Sequence, residues 1–311
     1  MNNKPVIGFA VLAALGLAAP LLGIYPVFLM KALCFALFAC AFNLLLGFTG
    51  LLSFGHAAFF GTAGYAAGYA IKGWGFPPEI GLLFGMLVAG ATGWVVGGLA
   101  IRRQGIYFAM ITLALSQMIY FLCLQAPFTG AEDGMQGVPR GKLLGMISLE
   151  DDVNLYYFIL FVALAGFLII YRTVHSPFGQ VLKAIRENEP RALSLGYDVD
   201  RYKLLAFVIS ATLAGLAGGS KTLVLGFETL TDVFWGTSGE VILMTLVGGL
   251  GTMYGPIVGA FIIITLQNYL ADKVGSWVQV IMGVIFVLCV LAFRRGVVGE
   301  LAALFETKKN G

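Results

Sequence analysis

The chain has 311 residues, of which 59 % are hydrophobic and 11 % charged, with a net charge of +3. Soluble domains carry about 25 % charged residues, so this composition excludes a chain solvated mainly by water and leaves lipid as its solvent. So small a net charge leaves no electrostatic footprint for nucleic acid, and two His and four scattered Cys are too sparse for a metal cluster.

A helix needs about 20 apolar residues to cross the hydrocarbon. The sequence offers about ten such spans, near 5–24, 27–46, 51–71, 78–101, 105–125, 153–172, 203–223, 237–250, 255–273 and 275–293. The third, eighth and ninth are short or interrupted by Gly and Pro. The runs are continuous, not alternating, so helices are expected and a β-barrel is not. The first span follows Lys4, is long for a signal-peptide core and is followed at once by a second, so it reads as a retained helix. Cys34, Cys40, Cys123 and Cys289 fall in apolar spans without a C-x-x-C pair and read as reduced, buried small hydrophobes.

Orientation follows from Lys and Arg. With ten spans and both termini inside, the cytoplasmic ends hold Lys4, Arg102, Arg103, Arg172, Lys183, Arg186, Arg191, Arg201, Lys203, Arg294, Arg295, Lys308 and Lys309, which is 13 of 19. The other side holds Lys31, Lys72, Arg140, Lys142, Lys221 and Lys273 and most of the acids. Five spans precede the outer loop and five follow it, so the halves run in opposite directions, the topology of an inverted repeat. The expectation is an all-α membrane protein of one transmembrane domain. It comprises a five-helix half over 1–125, an outer loop over 126–152, a second half over 153–295 and an inner tail over 296–311.

The longest polar run between spans is 171–203, on the basic side. Ser176 followed by Pro177 is a good helix start. Phe178, Val181, Leu182 and Ile185 fall on one helical face, with Lys183, Arg186 and Glu187 elsewhere. Pro190 ends that helix and opens a second, short one, Gly196 stops it, and Asp198 or Asp200 caps the next span. Two readings stand: a solvated loop on lipid headgroups, or a docking element that fits a groove on a cytoplasmic partner.

Polar groups inside spans are costly unless paired or facing a cavity. Ser53 and His56 in S-F-G-H-A-A-F-F-G, with Asn43, Gln117 and Glu240, are therefore candidates for a pathway or for structural hydrogen bonds. A mid-membrane carboxylate costs about 2.5–3.5 kcal/mol, so Glu240 is expected near the outer end of its span. Glu132 and Asp133, with Glu150, Asp151 and Asp152, form an acidic outer surface suited to a soluble partner. The 42 Gly are expected mainly to let helix backbones approach closely. Two stretches imitate nucleotide sites. Gly215 to Thr222 has Ser220 where a P-loop needs its second Gly, and Gly249 to Gly255, with Asp272 downstream, is one residue too long for a dinucleotide fingerprint.

Five stretches together resemble the LivM-type permease subunits of bacterial ABC importers for branched-chain amino acids. They are N-L-L-L-G-F-T-G-L-L-S-F-G-H-A-A-F-F-G (43–61), T-G-A-E-D-G-M-Q-G-V-P (129–139), S-P-F-G-Q-V-L-K-A-I-R-E-N-E-P-R-A-L-S-L-G (176–196), Y-K-L-L-A-F-V-I-S-A-T-L-A-G-L-A-G-G (202–219) and G-G-L-G-T-M-Y-G-P-I-V-G-A (248–260). The resemblance implies a protein of the bacterial inner membrane in which 171–203 is the coupling loop that docks on the ATPase. Ser176, Pro177, Phe178, Arg186, Glu187, Glu189, Arg191, Ala192 and Gly196 would then carry the coupling. Many importer permeases carry an E-A-A…G signature there. Aligned on Gly196, its first three slots hold Pro190, Arg191 and Ala192, so only Ala192 agrees, and either Glu187 or Glu189 is left to meet the ATPase.

The resemblance also implies a LivH-type second permease, two ATPase subunits that bind ATP and Mg, and a periplasmic binding protein docking outside. The chain itself binds no cofactor and is not an enzyme. Urea, short amides and other small carboxylates are alternative cargoes. Of the other classes, an ion-coupled secondary transporter needs ionisable residues deep in its spans, which this sequence barely shows, and a membrane scaffold has no use for Gly-broken spans.

Overall fold

The computed structural model describes residues 12–292, apart from Ile24, together with Gly296. Much of the first expected span, Lys4, Arg294, Arg295, Lys308, Lys309 and the expected tail beyond Gly296 lie outside the described residues.

Helix α1 (Pro26–Thr49) is the axis of the bundle. It begins on a proline whose φ is already helical, and its 24 residues are apolar on every side, so it can be buried all round. Helices α5 (Asp152–His175), α8 (Val199–Leu225), α10 (Trp235–Gly248) and α11 (Gly255–Val274) surround it. Helix α8 also packs on α2 (His56–Lys72) and α3 (Pro78–Ala100), while α4 (Ile106–Gln125) lies at the margin against α2. The short α6 (Pro177–Glu187) and α7 (Glu189–Ser194) form a hairpin at one end. The one-turn α9 (Leu230–Val233) precedes α10, and α12 (Val278–Ala292) packs on α10 and α11.

Among the described residues, α1, α3, α4, α5 and α8 are long and apolar enough to cross a membrane. The outer faces of α3, α4 and α5 expose Leu83, Leu87, Trp94, Met118, Phe121 and Phe161, the surface of a lipid-solvated, multi-pass protein.

One expected span starts later than expected. The span at 51–71 begins only at His56, because Gly50 takes φ +76° and closes α1, and 51–55 is non-helical. The His56 ring lies level with Ala41, eight residues before the end of α1, which is roughly 12 Å inside the bundle at 1.5 Å per residue. The segment at 226–234 turns back into the bundle before α10 starts. The two first turns meet, with the Ala57 N–H donating to Ser238 Oγ (2.8 Å). Thus α2 and α10 run away from a shared interior point in opposite directions.

The loop at 126–152 is tied down by two-residue strands. β1 (Met135–Gln136) pairs antiparallel with β4 (Phe227–Glu228), and β2 (Lys142–Leu143) with β3 (Ile147–Ser148). The small-residue reading of the glycines holds in detail at Gly218, where an added Cβ would overlap the Phe60 carbonyl of α2. Gly218→Val is expected to lower stability by about 1–3 kcal/mol through overpacking, measured as a fall in Tm in detergent.

Candidate functional site

The hairpin end carries the most organised polar structure. Ser176 Oγ accepts from the Gly179 N–H (3.3 Å) and Pro177 opens α6. Asn188 caps α7, Gly196 stops it at φ +86°, and Asp198 caps α8. The first helix therefore ends at Glu187, before Pro190.

The apolar face of α6 is used internally. Leu182 and Ile185 are buried, and Ile185 clusters with Ala192 of α7 and Val199 of α8. Phe178 stacks on Tyr202 (centroids 5.6 Å apart). The face left for another molecule carries Glu187, Pro190, Arg191, Leu193 and Leu195, all exposed.

The two loop carboxylates differ sharply. Glu189 accepts from Lys203 Nζ (2.6 Å) and from Gln104 Nε2 (2.8 Å), and Lys203 is only 3 % exposed. Glu187 is exposed at the end of α6. Arg186, although exposed, donates to the Gly47 carbonyl of α1.

The expected pathway residues do not converge. Asn43 clamps α1 to the turn between α10 and α11, with Oδ1 accepting from the Gly251 N–H (3.0 Å) and Nδ2 donating to the Thr252 carbonyl (2.9 Å). Ser53 is fully buried and accepts from the Gly55 N–H. His56 is fully buried within edge-on Phe42, Phe59 and Phe207. Since the Ser210 hydroxyl donates to Ala41 O (2.5 Å), His56 Nε2 is the donor to Ser210 Oγ (2.8 Å), and Nδ1 is left as a bare acceptor. Gln117 Nε2 on α4 is buried without a hydrogen-bond partner among the described residues. Glu240 sits in the second turn of α10, hydrogen-bonded to Gln267 of α11.

At the opposite end lies a buried charge cluster. Lys221 of α8 pairs with Asp232 of α9 and with Glu228 Oε2 (3.5 Å), and Thr222 Oγ1 donates to Glu228 (2.6 Å). Glu228 is fully buried against Gly64, and its Oε1 and the Tyr65 hydroxyl are unpartnered among the described residues. Burial pushes the Glu228 carboxyl up to about 8, with nearby Asp232 adding to the rise against the pull of Lys221. One ammonium thus faces two carboxyl groups. A carboxyl raised on folding stabilises the fold fully at low pH, and that stability is lost as pH rises through about 8. Glu228→Gln is expected to flatten this loss between about pH 5 and 8, read from Tm against pH.

Of the acids expected outside, Asp152 pairs with Arg140 (2.6 Å) and Asp151 caps α5, whereas Glu132 and Asp133 are exposed. A cavity of about 370 Å³ between α2, α3 and α4 is lined by Tyr65, Tyr69, Phe84 and Phe128 and is almost wholly apolar.

The family described as the branched-chain amino acid transport system permease component matches residues 25–290. The chain belongs to this permease family. It is 27 % identical to LivM of Escherichia coli K12, the high-affinity branched-chain amino acid transport system permease protein, over 258 residues, 74 % of this chain and 60 % of that protein. The chain thus spans less than two thirds of that relative's length. It is 30 % identical to a probable LivH of Methanocaldococcus jannaschii over 43 % of each chain, and 30 % identical to the xylose permease XylH of Escherichia coli K12 over 54 % of this chain and 45 % of that one. No solved structure matches the chain.

Within this permease family member, sequence reasoning missed the Lys221 cluster, having placed Lys221 only among the basic residues of the other side and within a false P-loop. A lone Lys in a Gly- and Ala-rich span, with acids seven and eleven residues on, was the available signal. Both nucleotide look-alikes dissolve in the fold. Gly215 to Thr222 lies within continuous α8, and Gly249 to Gly255 joins two helices with no strand before it.

Proposed function

We propose that this chain is one permease subunit of an ATP-driven importer that moves branched-chain or other hydrophobic amino acids into the cytoplasm across a bacterial inner membrane. The observation that carries this is the α6–α7 hairpin. It is a capped, internally packed element whose remaining exposed face is polar with apolar tips, as a docking surface requires. Its basic surroundings support a cytoplasmic position for that end and for both termini.

Two cytoplasmic ATPase subunits, holding ATP and Mg, dock there. Glu187, Pro190 and Arg191 are the contacting residues, while Glu189 serves within the chain. A LivH-type permease completes the pathway along the margin of α4, α9 and α10, where Gln117 and Glu240 lie. A periplasmic binding protein docks over Glu132 and Asp133. The chain hydrolyses nothing itself. The opposed, interrupted helices α2 and α10 support two inverted halves of about five spans and alternating access around their junction.

His56 and Asn43 act as structural ties, not as contacts to cargo. His56→Phe is expected to cost about 1 kcal/mol, the net worth of one buried hydrogen bond, and to leave uptake unchanged. A Tm scan and a leucine uptake assay check both. Lys221, Glu228 and Asp232 are ionisable and buried, but they are paired with one another near the end of α8. The function is tested in nanodiscs with both ATPase subunits and the binding protein. Leucine-loaded binding protein is expected to stimulate ATP hydrolysis, and hydrolysis indifferent to it contradicts the reading.

A further inference from the structure

Besides the contacts of Glu189 with Gln104 and Lys203 and of Phe178 with Tyr202, the hairpin meets the bundle at a junction of three interrupted segments. Helix α1 ends there, the 51–55 segment leaves from there, and the α10–α11 turn folds back onto it. We propose that Arg186 is the linkage residue of this junction, carrying displacement of α6 to the end of α1 and to the α10–α11 turn together. This rests on the reading of α6 and α7 as the ATPase-docking element and names the output side of that element.

The geometry is specific. The Gly47 carbonyl lies in the last turn of α1, where helical carbonyls lack an intrahelical donor, and the Arg186 guanidinium donates to it. Two glycines make room for the side chain. A Cβ at Gly50 would lie 3.3 Å from Arg186 Cγ, and one at Gly251 would lie 3.2 Å from Arg186 Nη1. Both take positive φ, +76° and +72°, so other residues are strained there as well as obstructive. Asn43 fastens the Gly251–Thr252 backbone to α1 within the same junction. The guanidinium therefore abuts α1 and the α10–α11 turn at once. Lys183, the other cation of α6 on this side, lies 5.8 Å over the Phe48 ring, a weaker and non-directional contact.

The root of Arg186 moves with the docking element. Ile185, its neighbour, is packed with Ala192 and Val199, so α6, α7 and the start of α8 form one small body. A push on the exposed face of that body reaches the bundle as movement of the guanidinium against Gly47 and Gly251.

The test uses the reconstituted complex with Arg186→Ala and Arg186→Lys. Arg186→Ala is expected to keep ATPase binding and ATP hydrolysis, while leucine moved per ATP falls about tenfold or more, the size of one lost charge-assisted hydrogen bond. Arg186→Lys restores part of the ratio, because it keeps one donor and the charge. A merely structural arginine lowers Tm without changing leucine per ATP, and an unchanged ratio in Arg186→Ala overturns the proposal. A second measurement needs neither partner nor transport. Amide hydrogen exchange over 249–255 in nanodiscs is expected to rise about tenfold in Arg186→Ala and less in Arg186→Lys, and unchanged exchange also overturns it. If the intact complex moves no leucine with ATP, the importer reading falls, and the exchange result still decides the linkage.

Discussion

Replacing Lys221 by Met is expected to lower stability by about 3–5 kcal/mol, the cost of breaking a buried ion pair from one side. Lys221 is 4 % exposed, and its ammonium is the counter-charge for Asp232 and Glu228. Met fills most of the volume, so the loss is electrostatic. It leaves two carboxylates in a space closed by Gly64 and by the β1–β4 pair. Adding Asp232→Asn is expected to recover part of the loss, since the remaining carboxyl, Glu228, can hold a proton. Tm and denaturant midpoints in detergent measure both variants. A loss below about 1 kcal/mol for Lys221→Met is the size of an exposed pair and would place the cluster in contact with water.

The second large effect separates Glu187 from Glu189. Glu187→Ala is expected to weaken ATPase docking by about 2 kcal/mol or more, as truncating one side of an interfacial charge contact does, and to lower uptake in proportion while leaving Tm unchanged. Glu189→Ala is expected to act the other way. It removes the partner of nearly inaccessible Lys203 and so lowers Tm. Glu189 is 21 % exposed, so solvent screens part of the loss and about 1–2 kcal/mol is expected. A double-mutant cycle should find coupling between Glu189 and Lys203 and none between Glu187 and Lys203. Equal losses of docking at both positions contradict the assignment.

Local chemistry was legible in the sequence because its signals act within a few residues. Ser176–Pro177 starts α6, Gly196 stops α7 and Asp198 caps α8, each by a hydrogen bond or dihedral that the residue itself dictates. What depended on distant partners was not. The apolar face of α6 was visible, but not that it closes on Val199 instead of a partner's groove. Glu189 and Lys203 are fourteen residues apart, and nothing in the pattern marked them from neighbouring charges. The span at 51–71 was marked as short or interrupted, but hydropathy does not place a backbone break at Gly50 to Gly55. Asn43 and His56 were singled out as costly polar groups, and both are buried and hydrogen-bonded. Their partners, Gly251, Thr252 and Ser210, lie more than 150 residues away in sequence.

ATP-driven import is tested by leucine uptake into proteoliposomes that hold this chain, a LivH-type permease and both ATPase subunits, with loaded binding protein outside. ATP-driven import predicts uptake that starts with ATP on the ATPase side, stops when hydrolysis is blocked and ignores collapse of ion gradients. Uptake that proceeds without ATP and follows a proton or sodium gradient would contradict it and return the buried Lys221 cluster to consideration as an ion-coupling site.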